Sequence, residues 1–177
     1  MTAGARLTQL EGADIGALSP GQAARALRDV AVVRGKADQW EAAITRRVRE
    51  LHEAGQSAPA ADALTRSSNR SRRSAQQTEQ RAAALGEIPG LEAALGKGQV
   101  GVEHADAVAA AAGRLDGEQR SELFAQDELL TELAASSSPE TFRRWLNRTV
   151  DAITADDGLE RAAQQEAEVT ASIKRND

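Results

Sequence analysis

An all-α fold follows from three properties of the chain. Alanine, glutamate, glutamine, arginine and leucine dominate its 177 residues, β-branched residues are sparse, and the aromatics are Trp40, Trp145, Phe124 and Phe142. That mixture favours helix over strand. Apolar residues recur at steps of three and four, and only Val169 to Lys174 has a strand-like composition. Glycine, proline and serine clusters interrupt these rows. The expected architecture is an irregular bundle of about six helices, with one long N-terminal helix and a helix-turn-helix-like segment.

Residues 1–18 are small and polar with scattered glycines, and disorder is expected there. Ser19-Pro20 starts a helix, Ser as N-cap and Pro at the first helical position. The helix runs to about Ala54 and is stopped by Gly55. Ala26, Val30, Val33, Ala37, Trp40, Ile44 and Leu51 alternate steps of three and four along it, interrupted by Arg47. Such a row is a seam for packing along another helix. Gly35 is a weak point inside it and not a stop.

After a linker at Gln56 to Pro59, Ala60 to Thr65 makes a short helix and Ser67, Ser68 and Asn69 a turn. Asn69 or Ser71 caps a helix reaching about Leu85, and Gly86 to Gly90 breaks it. Leu91 to Leu95 is a short helix ended by Gly96-Lys97-Gly98, and Val102 to about Ala112 is another, closed by Gly113. Asp116 with Gln119 forms a capping box for a helix bearing Leu123, Phe124, Leu129, Leu130 and Leu133. Ser138-Pro139 repeats the earlier start, and Phe142, Leu146, Thr149, Val150 and Ile153 mark one face of the next helix. Asp156-Asp157-Gly158 reads as a turn before a polar helix from Leu159. Residues 19–177 therefore read as a single helical domain.

Composition excludes several functions. The absence of cysteine removes disulfides and thiolate zinc sites. No signal-peptide core and no run near the roughly 20 apolar residues of a membrane span occurs, so a soluble cytoplasmic protein is expected, without membrane contact. A net charge of −5 argues against wholesale polyanion binding. A core of small side chains buries little area per contact, so stability should be marginal unless the chain pairs with itself or with a missing segment.

One segment departs from the acidic average. Arg66, Arg70, Arg72, Arg73 and Arg81 face one acid, Glu79, within Ser67 to Leu85 and its approach. A local basic patch points to a polyanion partner better than net charge does. On a helix, Arg70, Arg73, Gln77 and Arg81 share one face, with Arg72, Gln76, Glu79 and Gln80 around it. Arginine reads guanine and glutamine adenine in the major groove of double-stranded DNA, while further arginines meet phosphates. The candidate DNA-binding residues are thus Arg66, Arg70, Arg72, Arg73, Gln77 and Arg81. The structural alternative is a solvated basic helix packed on the acidic stretch Asp116 to Glu132.

Chemistry is otherwise scarce. His104 and His52 read as packing or capping residues, because no second histidine or cysteine completes a metal site. Asp156, Asp157 and Glu160 lack calcium-loop spacing. No nucleophile–base pair, cofactor motif or small-molecule site is evident, and Trp40 and Trp145 are expected as core anchors.

The ordered set of Ser-Arg-rich helix, Leu85 with Ile88-Pro89, Ala94-Leu95, Gly98-Gln99-Val100 and His104-Ala105-Asp106 resembles the actinobacterial domain of unknown function 222. Ser138 to Arg143, Ala155 to Gly158 and Ala171-Ser172-Ile173 extend the resemblance over about residues 20–177. It implies a non-catalytic N-terminal module of HNH-nuclease-like proteins, here truncated at its C-terminal end. The nuclease signature is absent, so DNA cleavage does not carry over. Residues 67–112 are more distantly similar to the ParB-type helix-turn-helix, with Asp106 where that pattern has arginine after His-Ala. Two functions are consequently expected: a module that positions DNA through its basic helix, or a helical dimerisation and protein-interaction module in which the long helix pairs with its copy.

Overall fold

The computed structural model describes residues 1–68 and 70–155, and every regular element among them is helical. The helices are α1 (Ala3–Glu11), α2 (Pro20–Glu53), α3 (Ala60–Ser68), α4 (Arg72–Glu87), α5 (Pro89–Gly96), α6 (Val102–Ala112), α7 (Gly117–Phe124) and α8 (Asp127–Ser136). A further helix, α9, covers 139–155, and a 3₁₀ turn lies at Ile15–Ala17. The described residues thus form more helices than the expected six. Asn69 as a cap, the 156–158 turn, the helix from Leu159, the strand-like 169–174 and the acidic residues Asp156, Asp157 and Glu160 fall outside them.

Local chemistry sets most boundaries. Ser19 precedes Pro20 at the first position of α2, and the Ser19 N–H donates to Gln22 Oε1 at 2.9 Å. Gly55, at φ +71°, lies just past the end of α2. Ser71 Oγ caps α4 by accepting from the Ser74 N–H at 3.2 Å. At α7, Asp116 Oδ1 accepts from the Gln119 N–H while the Asp116 N–H donates to Gln119 Oε1, both at 3.1 Å.

Three expectations need correction. Residues 1–18 were expected to be disordered, yet they hold α1, which Thr2 caps and which packs along α2 with an Arg6–Asp29 ion pair. The helix expected from Asp116 through Leu133 is two helices, broken at Ala125 and Gln126. The break brings Asp127 to the start of α5, where its Oδ2 accepts the otherwise free Gly90 N–H at 2.9 Å. Ser67 and Ser68, expected in a turn, belong to α3.

The core lies among α4 to α9, not along α2. Leu85, Ile88, Leu91, Leu95, Val108, Leu123, Leu130, Phe142, Leu146 and Val150 are its fully buried large side chains. The long helix contributes Ala42 to this cluster and lies across it, packed on α4 and α5. Contact there is close because the buried positions of α2 are small: Gly35, Ala42 and Thr45. At Gly35 the backbone passes so near the end of α5 that a Cβ would sit 2.1 Å from the Leu95 carbonyl oxygen.

Candidate functional site

The basic segment spans the end of α3 and the whole of α4, and its residues meet different fates. Arg81 is buried. Its guanidinium donates to Asp106 Oδ1 at 3.1 Å and to Thr78 Oγ1 at 3.2 Å, and reaches Glu41 at 3.5 Å. Arg70 forks onto both oxygens of Glu41, at 2.8 and 3.0 Å, and also donates to Thr78 Oγ1 at 2.9 Å. Gln77 Nε2 donates to Asp106 Oδ2 at 3.0 Å. Arg66, Arg72 and Arg73 are exposed. The structure therefore does not bring the six candidates onto one outward face.

The bonded members form a polar cluster that ties α2, α4 and α6 together. Glu41 comes from α2, Thr78 and Arg81 from α4, and Asp106 from α6, so the bonds to the two carboxylates cross between elements. Burial holds the carboxyls of Asp106 and Asp38 above their ordinary range, a rise that Arg81 opposes without cancelling. The acids that hold the basic helix are Glu41 and Asp106, not the stretch Asp116 to Glu132. Asp106 stands where the ParB-type pattern has an arginine, and here it closes onto Arg81 and Gln77. Sequence reading placed Asp106 as a departure from a pattern. Its spacing from Arg81 on another helix carried no local signal of the contact.

Both histidines hydrogen-bond the backbone. Nδ1 of His104 accepts the Gly101 N–H at 3.3 Å, Nε2 donates to the Ser137 carbonyl at 3.1 Å, and the ring lies against Phe142. That arrangement uses both ring nitrogens to join the start of α6 to the end of α8. His52 bonds through Nδ1 to the Ser57 carbonyl at 2.9 Å. Among the described residues, no group of three His, Asp or Glu side chains is placed to hold a metal ion.

A cleft of about 660 Å³ opens between α4, α6 and α7 and is lined by Arg49, Glu87, Arg114, Arg120 and Phe124 beside several alanines. Its cations are engaged. Arg120 donates to the Ala112 and Leu115 carbonyls, and Arg114 to Asn147 and Asp151. Ser121, which also lines it, donates its hydroxyl to the Gly117 carbonyl at 2.9 Å.

The most unusual surface is on α2. Trp40 is 58 % exposed, Ile44 63 %, Leu27 70 % and Val30 36 %, and Ala37 between them is exposed too. The expectation that Trp40 anchors the core is therefore wrong, whereas Trp145 does pack against the core beside Phe142. At about 100° per residue, Val30, Ala37, Trp40 and Ile44 fall on one stripe, nearly opposite Gly35 and Ala42. The helix docks on the core through its small residues and leaves Trp40 and Ile44 in water. Lys36 partly covers Trp40, its ammonium 5.6 Å from the ring centroid.

Comparison of the chain with protein-family models, with curated proteins and with solved structures finds no match.

Proposed function

We propose that this chain is a non-catalytic helical interaction module that works by laying the apolar stripe of α2 against another helix. The carrying observation is the row Val30, Ala37, Trp40 and Ile44, repeated at steps of seven, three and four and turned away from the core of its own domain. A single exposed apolar residue needs no explanation, but a contiguous row on one rigid helix marks a contact surface. The second reading, a module that positions double-stranded DNA, now rests on Arg66, Arg72 and Arg73. Arg70, Arg81 and Gln77 are already committed to carboxylates of the domain.

Site-specific photo-crosslinking tests the interaction reading. A photoreactive residue at 37 or 44, in the full chain in its cells of origin, should give one discrete adduct, and one at exposed Gln80 on α4 should give none. Absence of any adduct from both stripe positions would refute it. Duplex binding by the purified chain that is lost in Arg66→Ala/Arg72→Ala/Arg73→Ala would favour the DNA reading instead.

A further inference from the structure

We propose that the hollow where α1 packs along α2 is a binding site for a diphosphate group, free or carried on a nucleotide. It is separate from the apolar stripe and does not depend on the interaction reading. The hollow, about 500 Å³, has three walls. Helix α1 brings Arg6, α2 brings Arg25, Arg28 and Asp29, and the turn after α5 brings Gly98. Residues 25, 28, 29 and 32 follow one another at helical-face spacing, so a single face of α2 lines the site. The third wall is fixed in place. Gly98 has φ +69°, and its backbone is so near α2 that a Cβ there would lie 2.8 Å from the Val32 Cα.

Charge names the ligand class. Three guanidiniums line one concave surface with a single carboxylate, in a chain whose net charge is −5. Arg6 pairs with Asp29, yet its Nε is enclosed without a hydrogen-bond partner among the described residues. Among those residues Arg25 and Arg28 form no ion pair or hydrogen bond. Arg46, Arg70 and Arg81, by contrast, sit on Glu92, Glu41 and Asp106. Like charges gathered in one hollow repel one another, and an anion bound between them removes that repulsion. Guanidinium forks match phosphoryl oxygens in geometry as well as in charge. Arg25 and Arg28 stand about 4.5 Å apart along the axis of α2, from a rise of about 1.5 Å per residue, and Arg6 approaches from the other helix. Two linked phosphoryl groups receive these forks side by side. Ala31, Val32 and Gly98 complete the lining, which has no aromatic ring to stack a base and no amide or hydroxyl side chain to read one. The phosphates are therefore what the site recognises. Helix α1 has no buried residue, so little apolar contact holds it on α2. A diphosphate joining Arg6 to Arg25 and Arg28 fastens it there.

Titration calorimetry of the full chain with inorganic diphosphate, without divalent cations and at about 0.1 M salt to screen loose attraction, tests the site together with amide hydrogen exchange. Saturable binding is expected, with slowed exchange across Ala3–Glu11. Arg25→Ala/Arg28→Ala should weaken it at least about tenfold, since two charge-assisted bonds are lost, and should remove the protection of α1. Both side chains are exposed, so melting without ligand should stay unchanged. Arg143→Ala/Arg144→Ala, an equal loss of charge at exposed positions of α9, should leave the affinity as it is. Adenosine diphosphate should bind as diphosphate does, and orthophosphate more weakly. Adenosine diphosphate more than about tenfold tighter than diphosphate would overturn recognition through the phosphates alone. Diphosphate affinity unchanged in Arg25→Ala/Arg28→Ala, or lowered equally by the α9 pair, would overturn the site. Absence of saturable binding at millimolar diphosphate would overturn it as well. Duplex DNA or phosphatidylglycerol vesicles held through Arg25 and Arg28 in that case would assign the hollow to a macromolecular polyanion instead.

Discussion

Gly35→Ala separates what helix propensity says from what the tertiary contact says. In an isolated helix the change should stabilise by about 1 kcal/mol, because alanine loses less backbone entropy than glycine. In the folded domain the added Cβ would sit 2.1 Å from the Leu95 carbonyl oxygen, a separation that must open to at least 3.0 Å, and 3.4 Å from the Gly98 Cα. The obstacles are backbone atoms, so no side-chain rotation relieves them. Either α2 backs off from α5 by most of an ångström, loosening the contact at Ala42, or the turn after α5 moves. That turn is itself constrained, because Gly98 has φ +69° and lies against the Val32 backbone. Overpacking of this kind costs about 1–3 kcal/mol, or more when backbone must move, which outweighs the propensity gain. A net loss of about 2 kcal/mol is expected, a fall in Tm of roughly 4–8 °C for a domain of this size. The control is Gly21→Ala in the first turn of the same helix, where nothing lies within 4 Å of the new Cβ; it should be neutral or stabilising by up to about 1 kcal/mol. Urea and thermal unfolding of both variants measure the pair. If Gly35→Ala melts as high as Gly21→Ala, the close approach of α2 and α5 is wrong, and with it the reason why the small face of α2 points inward.

Three other outcomes concern the polar cluster and its surroundings. Arg81→Met should cost about 2–3 kcal/mol in urea unfolding, because it leaves Asp106 without its cation and strips Thr78 of a donor. Arg72→Ala/Arg73→Ala, at exposed positions, should stay within about 0.5 kcal/mol of the parent, and the reverse ranking would show the arginine assignments to be interchanged. Asp38 has its folded pKa raised above the ordinary 3.8 by burial, so the folded state binds this proton more readily than the unfolded chain. Its contribution to stability therefore falls as pH rises from 3.8 through the raised value, and it is unfavourable at neutral pH. Asp38→Asn should raise stability at pH 7 relative to the parent, with the gap closing as the pH is taken below 3.8. A gap that is constant with pH, or of opposite sign, would show that Arg81 outweighs burial at this carboxyl.

The boundaries legible in the sequence are those fixed by residues close together in the chain. Ser19-Pro20 and Gly55 frame α2, Ser71 starts α4, glycines bracket Val102–Ala112, and Asp116 with Gln119 starts α7. Capping bonds span three or four residues, so a local pattern is enough to specify them. The same locality explains the gaps: the break at Ala125 and Gln126 accompanies a bond from Asp127 to Gly90, and α1 is tied down by Arg6 meeting Asp29 on another helix. The seam of α2 was readable as a row, but its direction was not. Apolar periodicity says that a face seeks a partner, and tertiary packing decides whether that partner lies within the domain. Here Gly35 and Ala42 let backbones approach where bulky side chains would hold them apart, so the small face went inward and Trp40 stayed outside. The arginines show the same division. Helical spacing grouped Gln77 and Arg81 on α4, whereas Arg70 lies before the helix and joins them through Glu41 and Thr78; whether they face a polyanion or carboxylates of the domain depended on Glu41 and Asp106, brought in by α2 and α6. A charge's partner is set by distance in space, and chain separations of 25 to 40 residues leave no trace of it in local sequence.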